Sequence, residues 1–157
     1  MRVLVQRSLD SSVLVDDKIV GRIDNGLVLF VGFTHGDSKK EIDYMVDKVI
    51  NLRIFDDENG VMNKSLMDVH GSILSISQFT LYGNAKKGRR PSYVDALGGE
   101  DASKLYDEFN NELLKHNIKV ETGIFGADMV VNITNDGPVT LLLTKAVSYT
   151  HLTLPTT

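Results

Sequence analysis

The chain has 157 residues, 42% of them hydrophobic, and carries 17 basic and 21 acidic side chains for a formal net charge of -4. That length suits one continuous core better than two domains, and the acidic balance excludes a global field drawing nucleic acid to the surface, so any RNA site must be a local basic patch. Cysteine is absent, which excludes disulfides, thiolate nucleophiles and sulfur-ligated metals.

Residues 2–7, 12–15 and 18–23 read as short strands, with Asp16-Asp17 as a tight turn between the last two. The first of them lacks the long apolar core of a signal peptide. No segment reaches the about 18 apolar residues needed to span a bilayer. A reducing, aqueous compartment, most simply the cytoplasm, is expected. Residues 26–33 are apolar almost throughout, the pattern of a strand buried on both faces.

From Ser38 the period becomes helical. Ile42, Met45, Val46, Val49 and Ile50 share one face, and Ser38 with Glu41 has the spacing of a capping box. The helix is predicted to end near Leu52-Arg53, before the turn Asp56-Asp57-Glu58-Asn59-Gly60. Residues 72–79 read as an interior or half-buried strand, followed by a polar loop over residues 82–93. A second amphipathic helix is predicted over residues 101–116, with Ala102, Leu105, Tyr106, Phe109 and Leu113 at helical spacing. Residues 129–133 and 139–143 read as two closing strands around Asn135-Asp136-Gly137-Pro138. The expected fold is α+β or mixed α/β: one compact domain over residues 1–145 with two main helices and several short strands. Residues 146–157 lack periodicity and read as a disordered tail or one added during cloning.

Chemistry is expected where the strand ends in Ser75-Ile76-Ser77-Gln78-Phe79-Thr80-Leu81-Tyr82-Gly83, because strand ends hold reacting groups rigidly beside open space. From the residues alone Thr80 is either catalytic or a hydroxyl satisfying backbone. Phe79 is either core or a base-stacking ring. Gln78 either orients a carbonyl, reads a nucleotide or is a surface amide. Lys86, Lys87, Arg89 and Arg90 place four cations within five residues around Gly88, which fits either phosphate contact or an ordinary solvated loop. Gly137-Pro138 reads as an ordinary trans turn, because cis bonds are only about 5–6% of X–Pro bonds in folded proteins; a cis bond would aim carbonyls in directions a strand cannot. His35, His70, His116 and His151 form no familiar catalytic pattern, and there is no GxSxG, P-loop, HExxH or dinucleotide fingerprint. No metal or cofactor is expected.

Seven motifs occur in order: Val5-Gln6-Arg7, Arg53-Ile54-Phe55, Gly60-Val61-Met62-Asn63, Ser77-Gln78-Phe79-Thr80-Leu81, Gly88-Arg89-Arg90-Pro91-Ser92-Tyr93, the segment from Thr122 to Met129, and Asn135-Asp136-Gly137-Pro138-Val139-Thr140. Together they resemble the D-aminoacyl-tRNA deacylase family, also called D-tyrosyl-tRNA deacylases, from residue 1 to about 144. The resemblance implies a homodimer that hydrolyses the ester of D-aminoacyl-tRNA, accepts glycyl-tRNA and rejects L-aminoacyl-tRNA. It implies that Ser77, Gln78, Phe79 and Thr80 line the pocket for the terminal adenosine and the ester. Catalysis is then implied to fall to Phe79 and Thr80, through backbone amides, by positioning or by direct attack of the Thr80 hydroxyl, with the 2'-hydroxyl of the terminal adenosine assisting. Gly137-Pro138 is implied to be cis and to enter the partner's pocket as a chiral filter. Arg7, Lys86, Lys87, Arg89 and Arg90 are expected as tRNA or structural contacts. A noncatalytic RNA-binding module is the alternative, and a purely structural dimer a third reading. The tail after about Lys145 departs from the family's usual ending.

Overall fold

The structure is a computed structural model that describes residues 1–147. Its elements run β1 (Arg2–Ser8), β2 (Ser11–Val15), β3 (Lys18–Ile23), β4 (Gly26–Gly32), α1 (Lys39–Asn51), β5 (Phe55–Asp56) and β6 (Met62–Lys64). Then come β7 (Ser72–Ser77), a one-turn 3-10 helix (Phe79–Tyr82), α2 (Gly99–Leu114), β8 (Val120–Thr122), β9 (Val130–Asn132) and β10 (Asn135–Thr144). A five-stranded sheet has the order β10-β1-β4-β7-β8, and a three-stranded sheet the order β3-β2-β9.

β4 and β7 are parallel, as are β7 and β8, with α1 and α2 in the respective connections. Parallel neighbours need such crossovers, and a helix supplies the length while covering a sheet face. β4 is therefore enclosed on both sides, as its apolar run requires. Leu27, Leu29 and Val31 pack with Ile42, Met45 and Val49 of α1 and with Phe109 and Leu113 of α2. Val28 packs with Leu74 and Ile76 of β7 and with Val13 and Ile23 of the smaller sheet. The expected mixed fold is thus a layer of two helices, a central mixed sheet and a smaller sheet behind it. Gly26 is required where β4 begins, since its φ is +139° and a Cβ there would overlap the Ser72 carbonyl.

Local signals place the helices. Ser38 and Glu41 form the full capping box at the start of α1, satisfying free amides of the first turn. Asp16 and Asp17 both take positive φ in the turn between β2 and β3, as a two-residue hairpin turn demands.

Four expectations need correction. Phe79 does not continue β7 but opens the 3-10 helix, directly after Gln78 donates its backbone N–H to Val31 O of β4 at 2.8 Å. The second helix begins at Gly99 and ends at Leu114, earlier at both ends than residues 101–116. The strand near residues 129–133 and the closing strand do not form a pair around a turn. β9 joins β2 in the smaller sheet and β10 joins β1 in the larger one, so Asn135 to Pro138 lie inside β10. β8 was not foreseen.

Lys145 donates its backbone N–H to Met1 O at 2.9 Å, and Val147 lies against Gly36. The rest of the expected tail, with His151, lies outside the described residues. Among the described residues no helix is long and apolar enough to cross a membrane.

Candidate active site

Two parallel strands ending side by side leave a crevice beyond their carboxyl ends, where ligands bind in open α/β sheets. Here β4 ends at Gly32 and β7 at Ser77, and a cleft of about 530 Å³ opens there. Its walls come from Phe33, from Ser77, Gln78 and Phe79, from Gly98, Gly99 and Ala102 at the start of α2, and from the loop Phe125 to Met129. Most of the lining is apolar, with Ser77, Gln78 and Asp128 as polar groups on it. That mixture suits a flat aromatic ligand held by a few directional contacts.

The structure brings Ser77, Gln78 and Phe79 together on this cleft. Thr80 follows in the 3-10 turn, outside the lining, and its hydroxyl accepts a hydrogen bond from the Gln78 amide. The backbone N–H groups of Phe79 and Thr80 have no carbonyl partner among the described residues; as the first amides of a helical turn they are free to donate. Phe79 is 54% exposed, so the core reading of this ring does not hold. Its edge-to-face partner is Tyr93, with ring centroids 5.1 Å apart.

Beneath the cleft, the Tyr106 hydroxyl donates to the Ser75 carbonyl at 2.6 Å. Tyr106 also packs against Phe125, with ring centroids 6.0 Å apart. Burial raises the Tyr106 phenol above its ordinary value, with its hydrogen bonds acting in the opposite sense. It therefore works as a neutral brace between α2 and the end of β7.

Gly137 and Pro138 sit elsewhere. Two steps along β1, Gln6 to Ser8, face five along β10, from Thr140 back to Asn135. The surplus residues bulge out of the ladder and carry an exposed Gly137-Pro138, joined by a cis bond. The trans turn read from the residues alone is thereby corrected, in favour of the geometry the resemblance implies. Asn135 ties the bulge down by donating to Arg7 O at 3.0 Å and to Val139 O at 3.1 Å, while its Oδ1 accepts from Thr140 Oγ1.

Arg7 stands behind the bulge and is only 7% exposed. Its Nη1 donates to Ile54 O at 2.8 Å, and its guanidinium faces Asp56 at 3.4 Å and Asp136 at 3.2 Å. The fork is thus set between two carboxylates and a carbonyl, with Nε at ion-pair distance from Asp136 but without a hydrogen bond. Lys86, Lys87, Arg89 and Arg90 are all exposed, and no ion pair engages them among the described residues. His35, His70 and His116 are exposed and apart from the cleft lining. Among the described residues no group of three His, Asp or Glu side chains could hold a metal ion.

Sequence reasoning did not place Gly98, Gly99, Ala102 or residues 125–129 at the site. The motif from Thr122 to Met129, which contains residues 125–129, was the available signal.

The model of the D-Tyr-tRNA(Tyr) deacylase family matches residues 4–144 of this chain. The chain belongs to that family. It is 57% identical over 143 residues to the D-aminoacyl-tRNA deacylase of Clostridium tetani, covering 91% of this chain and 96% of the relative. To the D-aminoacyl-tRNA deacylase of Clostridium botulinum it is 54% identical over 149 residues, covering 95% and 100%. Among solved structures, a c-Myc DNA unwinding element binding protein superposes with a TM-score of 0.88 at 39% identity, covering 93% of this chain and 99% of that one. A probable eukaryotic D-amino acid tRNA deacylase shares the fold, with a TM-score of 0.79 at 20% identity over 90% and 97% of the two chains.

Proposed function

We propose that this chain does in its cleft what the names of its bacterial relatives state: it hydrolyses the ester of D-aminoacyl-tRNA, releasing a D-amino acid and free tRNA. The family match over residues 4–144 carries this reading. The cleft supports it locally, being roomy enough for a terminal nucleoside and edged by the amides that ester hydrolysis needs.

Water attacks the ester carbonyl carbon, a tetrahedral oxyanion forms, and the bond to the ribose oxygen breaks as that oxygen takes up a proton. The amides of Phe79 and Thr80 are the donors we assign to the oxyanion, since preorganised dipoles stabilise charge only as it develops. Ser77 and Gln78 orient the nucleoside end. Thr80 acts by position, because its hydroxyl is engaged by Gln78 and no base accompanies it to make it a nucleophile. The 2'-hydroxyl of the substrate's own terminal ribose is the group we assign to help the water, which fits a cleft lined by no histidine.

The exposed Gly137-Pro138 bulge lies off the lining of its own cleft. In a homodimer it enters the partner's cleft, where its carbonyls leave no space for an L side chain; a D side chain points outward, and glycine has none to exclude, so glycyl-tRNA is accepted. Support for the dimer comes from β10, an edge strand with β1 as its one neighbour among the described residues and with Leu141 and Leu142 exposed. Lys86, Lys87, Arg89 and Arg90 are assigned to tRNA phosphates and Arg7 to the support of the bulge. The domain is taken to be residues 1–145, working in the cytoplasm.

The test compares D-tyrosyl-tRNA with L-tyrosyl-tRNA, with spontaneous loss followed in parallel. Acceleration of the D ester alone supports the reading. Acceleration of neither, in a sample shown to be folded and dimeric, leaves the noncatalytic RNA-binding alternative.

A further inference from the structure

The cleft does not end at Phe79. That ring lines the cleft on one side and meets Tyr93 edge-on at 65° on the other, and Tyr93 is itself 40% exposed. Tyr93 is seated against Gly83, where an added Cβ would come within 2.9 Å of its ring. Between Gly83 and Tyr93 the chain makes a closed loop: Asn84 and Ser92 exchange both backbone hydrogen bonds at 2.8 Å. Lys86, Lys87, Arg89 and Arg90 are at its tip, exposed and outside every ion pair among the described residues. Cleft, ring, second ring and four free cations thus follow one another without interruption, on a chain whose net charge is -4.

We infer that this ledge binds the unpaired nucleotides that precede the terminal one, with a base stacked on Tyr93 and the phosphates on the loop. The inference rests on the deacylase reading for what occupies the cleft. Exposed rings beside a cationic track are how proteins hold single strands without reading their sequence. A duplex offers no free base face to Tyr93, and its recognition would depend on groove shape instead. A base-paired stem is therefore excluded from the ledge, and the contact serves every tRNA alike, since all share the same unpaired end.

Two substrates isolate the ledge: D-tyrosyl-tRNA, and D-tyrosyl ester on adenosine alone, which has no upstream nucleotides. The readout is the ratio of kcat/KM on the first to kcat/KM on the second. For K86A/K87A/R89A/R90A the ratio is expected to fall about 100-fold through KM, and the salt slope on tRNA to flatten by about 3, at about 0.7 per phosphate contact on single strands. For Tyr93→Ala it falls about 10-fold, at the lower end of what one stacked base contributes, and Tyr93→Phe restores it. An unchanged ratio overturns the inference, whether both activities fall together or neither does. Wild-type protein inert toward both esters overturns the deacylase reading instead. The ledge is then decided by fluorescence anisotropy with a labelled single-stranded oligoribonucleotide ending in CCA: weaker binding by both variants upholds it, and affinity equal to wild type overturns it.

Discussion

Arg7 Nε lies 3.2 Å from Asp136 Oδ2, and Asp136 is the residue immediately before Gly137. A side chain on β1 therefore holds the start of the bulge, while its Nη1 reaches Ile54 O across to the segment before β5. Arg7→Ala is expected to destabilise the fold by about 2 kcal/mol, the range for losing hydrogen bonds to a charged group, because the exposed Asp56 and Asp136 can be resolvated. Activity on D-tyrosyl-tRNA should fall further than that figure alone explains. Arg7→Lys keeps the charge but not the fork, so it should recover stability better than D/L selectivity. Thermal unfolding and single-turnover hydrolysis of both esters measure the two effects. Equal recovery of both by lysine would reduce Arg7 to a simple counter-charge.

Gly137 has a φ of +117°, and a Cβ there would stand 2.9 Å from Val139 Cγ2 and 3.1 Å from Arg7 Nη2. Gly137→Ala must either adopt a rarely populated backbone conformation, at about 1–3 kcal/mol, or move the bulge off Arg7. The expected outcome is a lower Tm together with a smaller ratio of D to L hydrolysis. Retained selectivity with a lowered Tm would place the filter in some other part of the chain.

Tyr106 separates bracing from chemistry. Its hydroxyl reaches the Ser75 carbonyl in a buried setting, so Tyr106→Phe should cost about 1–2 kcal/mol. For a chain of this size that lowers Tm by roughly 2–8 °C. Because the Phe79 and Thr80 amides follow directly on the end of β7 that this bond braces, the variant should lower kcat on D-tyrosyl-tRNA while KM changes little. A KM effect alone would show that the brace shapes the nucleoside seat rather than the oxyanion donors.

What could be read from the sequence was what is decided locally. The capping box Ser38/Glu41 and the helical stripe from Ile42 to Ile50 need only neighbours within a turn or two, and α1 appears where they place it. β4 was legible because enclosure on two faces leaves an unbroken apolar run. Pairing between distant segments was not legible: β9 and β10 are adjacent in the chain, yet they join different sheets, and nothing local distinguishes that from a hairpin. The site divides in the same way. Ser77, Gln78 and Phe79 are contiguous and were found as one motif, whereas Ala102 and Phe125 reach the same cleft from separate elements. Arg7 was ambiguous because an arginine in a strand looks the same whether it meets phosphate or, as here, Asp56 and Asp136.

The Met1 ammonium and Asp37 form an ion pair at 3.0 Å with both side chains fully covered, and Asp37 Oδ2 also accepts from Thr34 N at 2.8 Å. Burial lowers the ammonium pKa from 8.0, with Asp37 acting against that shift. For a base whose folded pKa is depressed, the unfolded chain binds more protons between the two values, so this group's contribution to stability rises with pH across that window. Asp37→Asn removes the opposing charge and depresses the folded pKa further. The variant should therefore be less stable than wild type by about 3 kcal/mol at pH 6, the cost of leaving one charge of a buried pair uncompensated. Above pH 8 the amine is neutral in both states, and the wild-type Asp37 carboxylate is then the buried group without a counter-charge. The deficit should shrink there or reverse. Urea unfolding of both proteins from pH 6 to pH 9 measures it, and a deficit independent of pH would mean that Asp37 acts through its bond to Thr34 rather than through Met1.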